Sequence, residues 1–197
     1  MTNNSTIEPN TTTVLSDETM DFVRSLVDEF YKKNTFQINT ENNEKWNRIV
    51  NELISMATSE KLEKKIIKSR DGLDDYLIRY YLINERPKLR VTLHNTLMSD
   101  SSELHNHPWN FGSLILTGGY WEDTPEGKFW RAPGNFRTKE ASALHRLEVD
   151  PTIKEPVWTL FIMGEKDQDW GFLNEDGSIE QWQKYLFRQH GIWYEDQ

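Results

Sequence analysis

Apolar residues recur at helical spacing through the first third of the chain. Met20, Val23, Leu26, Val27 and Phe30 form one stripe, with Ser16 as its N-cap and Asp17 and Glu18 favourably placed in the first turn. Trp46, Ile49, Val50, Leu53, Ile54 and Ala57 predict a second helix beginning after Thr40. Leu62, Ile66 and Ile67 predict a third, shorter one after Ser59, with Lys61, Lys64, Lys65 and Lys68 as its solvated face beside Glu60 and Glu63. Such stripes cannot be buried by the helices alone, so they are expected to pack on the remainder of the chain. From Asp74 the period changes to two. Residues 76–83 (YLIRYYLI) are rich in β-formers, and 88–95 (KLRVTLHN) alternate Leu89, Val91 and Leu93 against Arg90, Thr92 and His94. Residues 111–122 (FGSLILTGGYWE) and the segments KFWRA, NFRTK, SALHRLEV and VWTLFIM come next, divided by turn signals at 84–87, 124–127 and 174–177. Ser178 is placed to cap a last helix holding Trp182, Tyr185 and Leu186. The expectation is a mainly β protein (a sandwich, jelly roll or small barrel) with helices at both ends.

Composition narrows the chemistry. With 197 residues the chain suits one domain of ordinary size. It has no cysteine, which excludes disulfides, thiolate metal sites and a cysteine nucleophile, so any metal must be held by histidine and carboxylate. A net charge of −9 argues against a nucleic-acid groove. No apolar run reaches the ~20 residues of a membrane span, and residues 1–13 lack the pattern of a secretion signal. A cytoplasmic globular protein is expected. Residues 71–197 carry 13 Lys/Arg against 21 Asp/Glu, seven of the eight tryptophans and all five histidines. The expected organisation is a disordered tail over 1–15, a helical segment over 16–70 packed on the β-rich part, and a β domain with a C-terminal helix over 71–197.

The sharpest local signal is Glu103-Leu104-His105-Asn106-His107-Pro108. Residues two apart on an extended chain share a face, so His105 and His107 can present two ligands to one metal, and Pro108 marks where the strand ends. His145, in another strand-like run, is the third candidate. Glu103 shares their parity and could serve as a carboxylate ligand, although a solvated strand end is the simpler role. If the polar face of 88–95 turns inward, Arg90 could hold an anionic substrate and His94 could act as a pocket acid/base or further ligand. Glu122 and Asp123 lie where a strand runs into a turn and are expected to be exposed. Trp109, Trp121, Trp130, Trp158 and Trp170 read as barrel core, with one or two at a pocket mouth. His190 reads as a dipole partner at a helix end.

The spacing around these histidines resembles the cupin superfamily. His105, His107 and Gly118 or Gly119 fall on its first motif, and Gly134 and His145 on its second. Ser99 stands for the leading glycine, Phe111 or Gly112 for the glutamate, Glu140-Ala141-Ser142 for proline-x-glycine, and Val149 for the late asparagine. The run LHNHPWNFGSLILTGGY is similar to small cupins of bacteria and bacteriophages. The resemblance implies a double-stranded β-helix (jelly-roll barrel) with N-terminal helices and a short C-terminal helix. It implies one divalent metal on His105, His107 and His145, with Fe(II) first and Zn or Ni as alternatives. The three-histidine set is similar to that of thiol dioxygenases, in which an upstream strand arginine, here Arg79, holds the substrate carboxylate. The Ser-His-Tyr relay of those enzymes has no counterpart near residues 164–172. The function implied is a non-haem Fe(II) oxygenase on a small, anionic molecule. The alternatives are a Zn or Ni isomerase or hydrolase on a sugar-like substrate and a non-catalytic cupin that binds a small ligand or a protein. A homodimer is also in keeping with the resemblance.

Overall fold

A computed structural model describes residues 15–191; the expected tail lies, but for Leu15, outside the described residues. Helix α1 (Asp17–Tyr31) starts at Ser16, whose side chain accepts from the Thr19 amide, and α2 (Glu44–Thr58) is capped in the same way by Asn43. The strands are β1 (Phe36–Gln37), β2 (Lys64–Lys68), β3 (Asp75–Glu85), β4 (Leu89–Thr96), β5 (Trp109–Thr117), β6 (Tyr120–Thr124), β7 (Gly127–Arg131), β8 (Asn135–Lys139), β9 (Arg146–Glu148), β10 (Val157–Lys166), β11 (Gly171–Leu173) and β12 (Ile179–Gln181), followed by α3 (Trp182–His190). They form an antiparallel seven-stranded sheet in the order β1-β8-β5-β10-β4-β3-β2, a three-stranded sheet β7-β6-β9 and a hairpin β11-β12. None of the helices in the described residues is long and apolar enough to cross a membrane.

The large sheet has two unlike faces. Leu93 of β4, Leu114 of β5, Phe136 of β8 and Leu160 of β10 are fully buried on one face, packed with Val23, Leu26, Ile49 and Leu53 of the two N-terminal helices. Each such side chain contributes about 1.5–3 kcal/mol by leaving water. The other face supplies Arg79, His94, Ser113, Arg137 and Phe161 to a cavity of about 1040 Å³. The apolar stripe of each strand therefore faces outward under the helices, and the polar stripe faces in.

Three expectations need correction. The helix expected after Ser59 is strand β2, which pairs in register with β3 from Lys64↔Tyr80 to Ile67↔Leu77. Ladder hydrogen bonds along the open edge of β3 outweigh the helix propensity of this Lys/Glu-rich run, and the lysines suit an edge strand facing water. Ser178 does not cap a helix: its amide and hydroxyl both donate to Asp176 Oδ1, closing the turn before β12. Of the five tryptophans, Trp158 is core at 5% exposure. Trp121 and Trp130 are instead only half-buried and pack edge-to-face on each other, while Trp109 and Trp170 line the cavity, as expected for one or two of the five.

Gly134 ties β1 to the sheet. It has φ +83°, its carbonyl accepts from Ile38, and a Cβ there would stand 2.4 Å from the Ile38 carbonyl oxygen. Gly134→Ala is expected to lower stability by at least about 1–3 kcal/mol, the cost of the backbone conformation before the collision is added. Urea denaturation measures it, and an unchanged midpoint would contradict the collision.

Candidate metal centre

The segment carrying His105 and His107 belongs to none of the named strands, yet it is pinned on both sides. His105 and His145 exchange both backbone hydrogen bonds at 2.9 Å, the Asn106 amide donates to Gly171, and the His107 amide donates to Ala141. The Asn106 side chain returns the bond by accepting from the Gly171 amide at 2.8 Å. The segment is thus held extended, which puts the two imidazoles on one side. His145 comes to them from the paired segment just before β9. The candidate ligand atoms of the three lie within 4.8 Å of one another. His107 Nε2 and His145 Nε2 are 2.7 Å apart.

Glu122 decides which nitrogen of His145 faces this point. Its Oε1 lies 2.9 Å from His145 Nδ1 and 2.9 Å from Lys139 Nζ, and its Oε2 lies 2.7 Å from Arg131 Nε. A carboxylate only accepts, so His145 Nδ1 carries the proton and Nε2 presents a lone pair to the cluster. Burial opposes the charge on Glu122, but the hydrogen bond from His145 and the contact with Lys139 outweigh it and hold the carboxyl well below the usual range. The expectation that Glu122 is exposed is corrected: it is 4% exposed. Along β6, Tyr120 and Glu122 are buried and line the cavity while Trp121 and Asp123 alternate to the other face, and Asp123 pairs with Arg146 at 2.7 Å. Parity with Tyr120 is the one signal in the sequence that points to it.

Burial pushes His105 down to about 4, with the Asp100 carboxylate acting in the opposite sense. Burial, aided by His145 and His105, pushes His107 well below its ordinary value. Both are therefore neutral at neutral pH and can offer lone pairs. Buried His105 Nδ1 has no hydrogen-bond partner and stands 4.0 Å from Asp100 Oδ2. Asp100 itself is held by the Tyr76 hydroxyl and by the Leu147 amide. Two nitrogens bound at about 2.1 Å to one ion and meeting at a right angle are about 3 Å apart, which is the scale of the His107–His145 separation. The donor set fits a divalent transition ion: three imidazoles, one with its tautomer set from behind.

The remaining candidates are distributed around the cluster. Arg79 lines the cavity, and its Nε donates to His94 Nε2 at 3.1 Å. His94 is buried, stacks on Phe161 and lies 3.0 Å from the Thr92 hydroxyl; burial and the charge of Arg79 push its pKa well down. It is not part of the three-histidine group. Arg90 lies over the ring of Trp109, 4.3 Å from its centroid, and does not line the cavity. Glu103 is neither in the cluster nor a solvated end. It is held by Tyr185, Ser101 and Ser102, which outweigh its burial and lower it to about 2, and it lies 3.8 Å from Arg70. His190 closes the last turn of α3 with Arg188.

No family model matches the chain, and no curated protein matches it. Solved structures do. The DMSP lyase DddQ of Ruegeria pomeroyi matches at 16% identity over 83% of this chain and 80% of that one, with a TM-score of 0.50. A chain described with the DMSP lyases RdDddP and RnDddQII matches at 11% identity over 75% and 90%, with a TM-score of 0.53. A cupin-2 domain protein of Rhodospirillum rubrum matches at 15% identity over 60% and 79%, with a TM-score of 0.47. At such identities the likeness concerns architecture, and with the antiparallel barrel around three histidines it leads to one conclusion: this chain has the cupin fold.

Proposed function

We propose that the protein is a metal-dependent cupin enzyme, a non-haem Fe(II) oxygenase acting on a small anionic molecule. The observation that carries this reading is the convergence of three imidazoles on the wall of a large cavity, with no carboxylate in the cluster among the described residues. Glu122, the nearest acid to His145, is spent on His145, Lys139 and Arg131. His105, His107 and His145 would hold the ion. When bound, such an ion supplies open coordination positions and, as Fe(II), redox chemistry with dioxygen.

The protein side chains supply binding and orientation. Arg79 offers its guanidinium to a substrate carboxylate inside the cavity, where low dielectric strengthens a charge-assisted hydrogen bond. His94 acts as a positioning residue, because its Nε2 already accepts from Arg79 Nε. Arg90, engaged by Trp109, is the weaker anchor of the two. A cavity of about 1040 Å³ accommodates a metabolite-sized ligand together with water.

Protein purified without chelator should carry one iron per chain and consume oxygen when a small thiol or carboxylate substrate is supplied. His107→Ala should abolish both. One zinc or nickel per chain without oxygen uptake would replace the oxygenase reading with Lewis-acid isomerase or hydrolase chemistry. Absence of metal from the wild type, unchanged on adding Fe(II), Zn or Ni, would overturn the metal site itself.

A further inference from the structure

Strand β8 turns Asn135, Arg137 and Lys139 into the cavity, and Arg131 at the end of β7 joins them there. The only carboxylate paired with this group among the described residues is Glu122, and both of its oxygens are occupied by Arg131, Lys139 and His145. Three permanent or near-permanent cations thus share one anion, in a protein whose overall charge is −9. His145 meets the same carboxylate through Nδ1 at 2.9 Å. The nearby Tyr120 phenol, raised by burial and by Glu122, stays neutral.

Arg137 holds the excess. Its Nε is buried with no hydrogen-bond partner, and no carboxylate pairs with it among the described residues. Across the ladder it faces Ser113, which has no charge to offer. Burial and the neighbouring charge of Arg131 act against its protonated form. A guanidinium with a buried, unanswered N–H is costly unless an acceptor arrives. The acceptor best matched to its planar fork is an oxyanion bound through two parallel hydrogen bonds.

We propose that Arg137 anchors an oxyanion subsite in the cavity, taking the carboxylate or phosphate group of a small organic anion in the field of Arg131 and Lys139. Arg79 is on β3 and Arg137 on β8, with β4, β10 and β5 between them in the sheet, so the same cavity has two separate cationic positions on its wall. A substrate with an anionic group at each end is the chemical class that fits. The link to catalysis rests on the metal-dependent reading, whereas the subsite itself needs no metal.

The test is calorimetric titration of inorganic phosphate and of succinate, at low ionic strength, into the protein as purified and after chelator treatment. At least one of the two anions should bind both forms, and the preference between them identifies the head group. Arg137→Met should weaken that binding tenfold or more, and Arg137→Lys should weaken it less. Without ligand, Arg137→Met should melt at the same temperature as the wild type or higher, because the burial of the charge and the repulsion from Arg131 outweigh the attraction of Glu122. Failure of both anions to bind the wild type would overturn the subsite, as would equal binding by Arg137→Met. Binding that vanishes with the chelator would also overturn the subsite while leaving the metal reading standing. Arg137-dependent binding by a protein that never takes up metal would do the reverse.

Discussion

Replacing Glu122 by leucine should lower the stability of the fold by about 3–5 kcal/mol and weaken metal binding by roughly 10–100-fold. Both effects come from one buried carboxylate that answers three donors. Its removal leaves Arg131 Nε and Lys139 Nζ, both nearly excluded from water, without a counter-charge. It also frees His145 Nδ1, so the proton can move to the nitrogen that should bind the ion. Glu122→Gln should be nearly as damaging, since its amide keeps the shape but sets N–H groups against N–H groups. Lys139→Met separates the two effects: it removes one cation, does not touch His145, and should leave metal affinity near that of the wild type. Urea denaturation and competition with a chromogenic chelator provide the measurements. Wild-type stability together with wild-type metal affinity in Glu122→Leu would remove Glu122 from its place behind the site.

Glu122 also marks where the sequence stops being readable. His105 and His107 are legible because their relation is local, two residues apart on an extended segment, and the motif spacing extends it to His145. The stripes of α1 and α2 are legible for the same reason. Glu122 meets Arg131 nine positions on and His145 twenty-three positions on, each on a different strand or segment, and no local period encodes such a meeting. The direction of β4 is ambiguous in the sequence because alternation gives two faces without saying which one is inside. The N-terminal helices resolve it by covering the apolar face of Val91 and Leu93, which leaves Thr92, His94 and Thr96 turned inward. Strand β2 reads as a helix because Lys, Glu, Leu and Ile at 61–67 satisfy a helical pattern as well as a strand, and only the open edge of β3 chooses between them.

Acid should destabilise the metal-free protein well above the pH at which its paired carboxylates titrate. His105 falls from an ordinary value of 6.5 to about 4 in the folded state, mainly through burial, and His94 and His107 are displaced in the same direction. Below pH 6.5 the unfolded chain takes up protons that the folded chain refuses. Stability is therefore full above that pH and is lost as the pH falls towards the folded values. His105 alone accounts for about 3.5 kcal/mol of this loss below pH 4, and about 2 kcal/mol of it by pH 5, at about 1.4 kcal/mol per unit of displacement. The other two steepen the slope. Chelator-treated protein, unfolded with urea at pH 7.5, 6 and 5, should show that fall, and His105→Gln, which cannot take a proton, should reduce it. A flat profile in the wild type, or an equal slope in His105→Gln, would refute the assignment. The metal-loaded protein should hold its stability to lower pH, because an ion on the imidazole lone pairs must be displaced before protons can take them. The gap between the two profiles then measures the competition between proton and metal for His105 and His107.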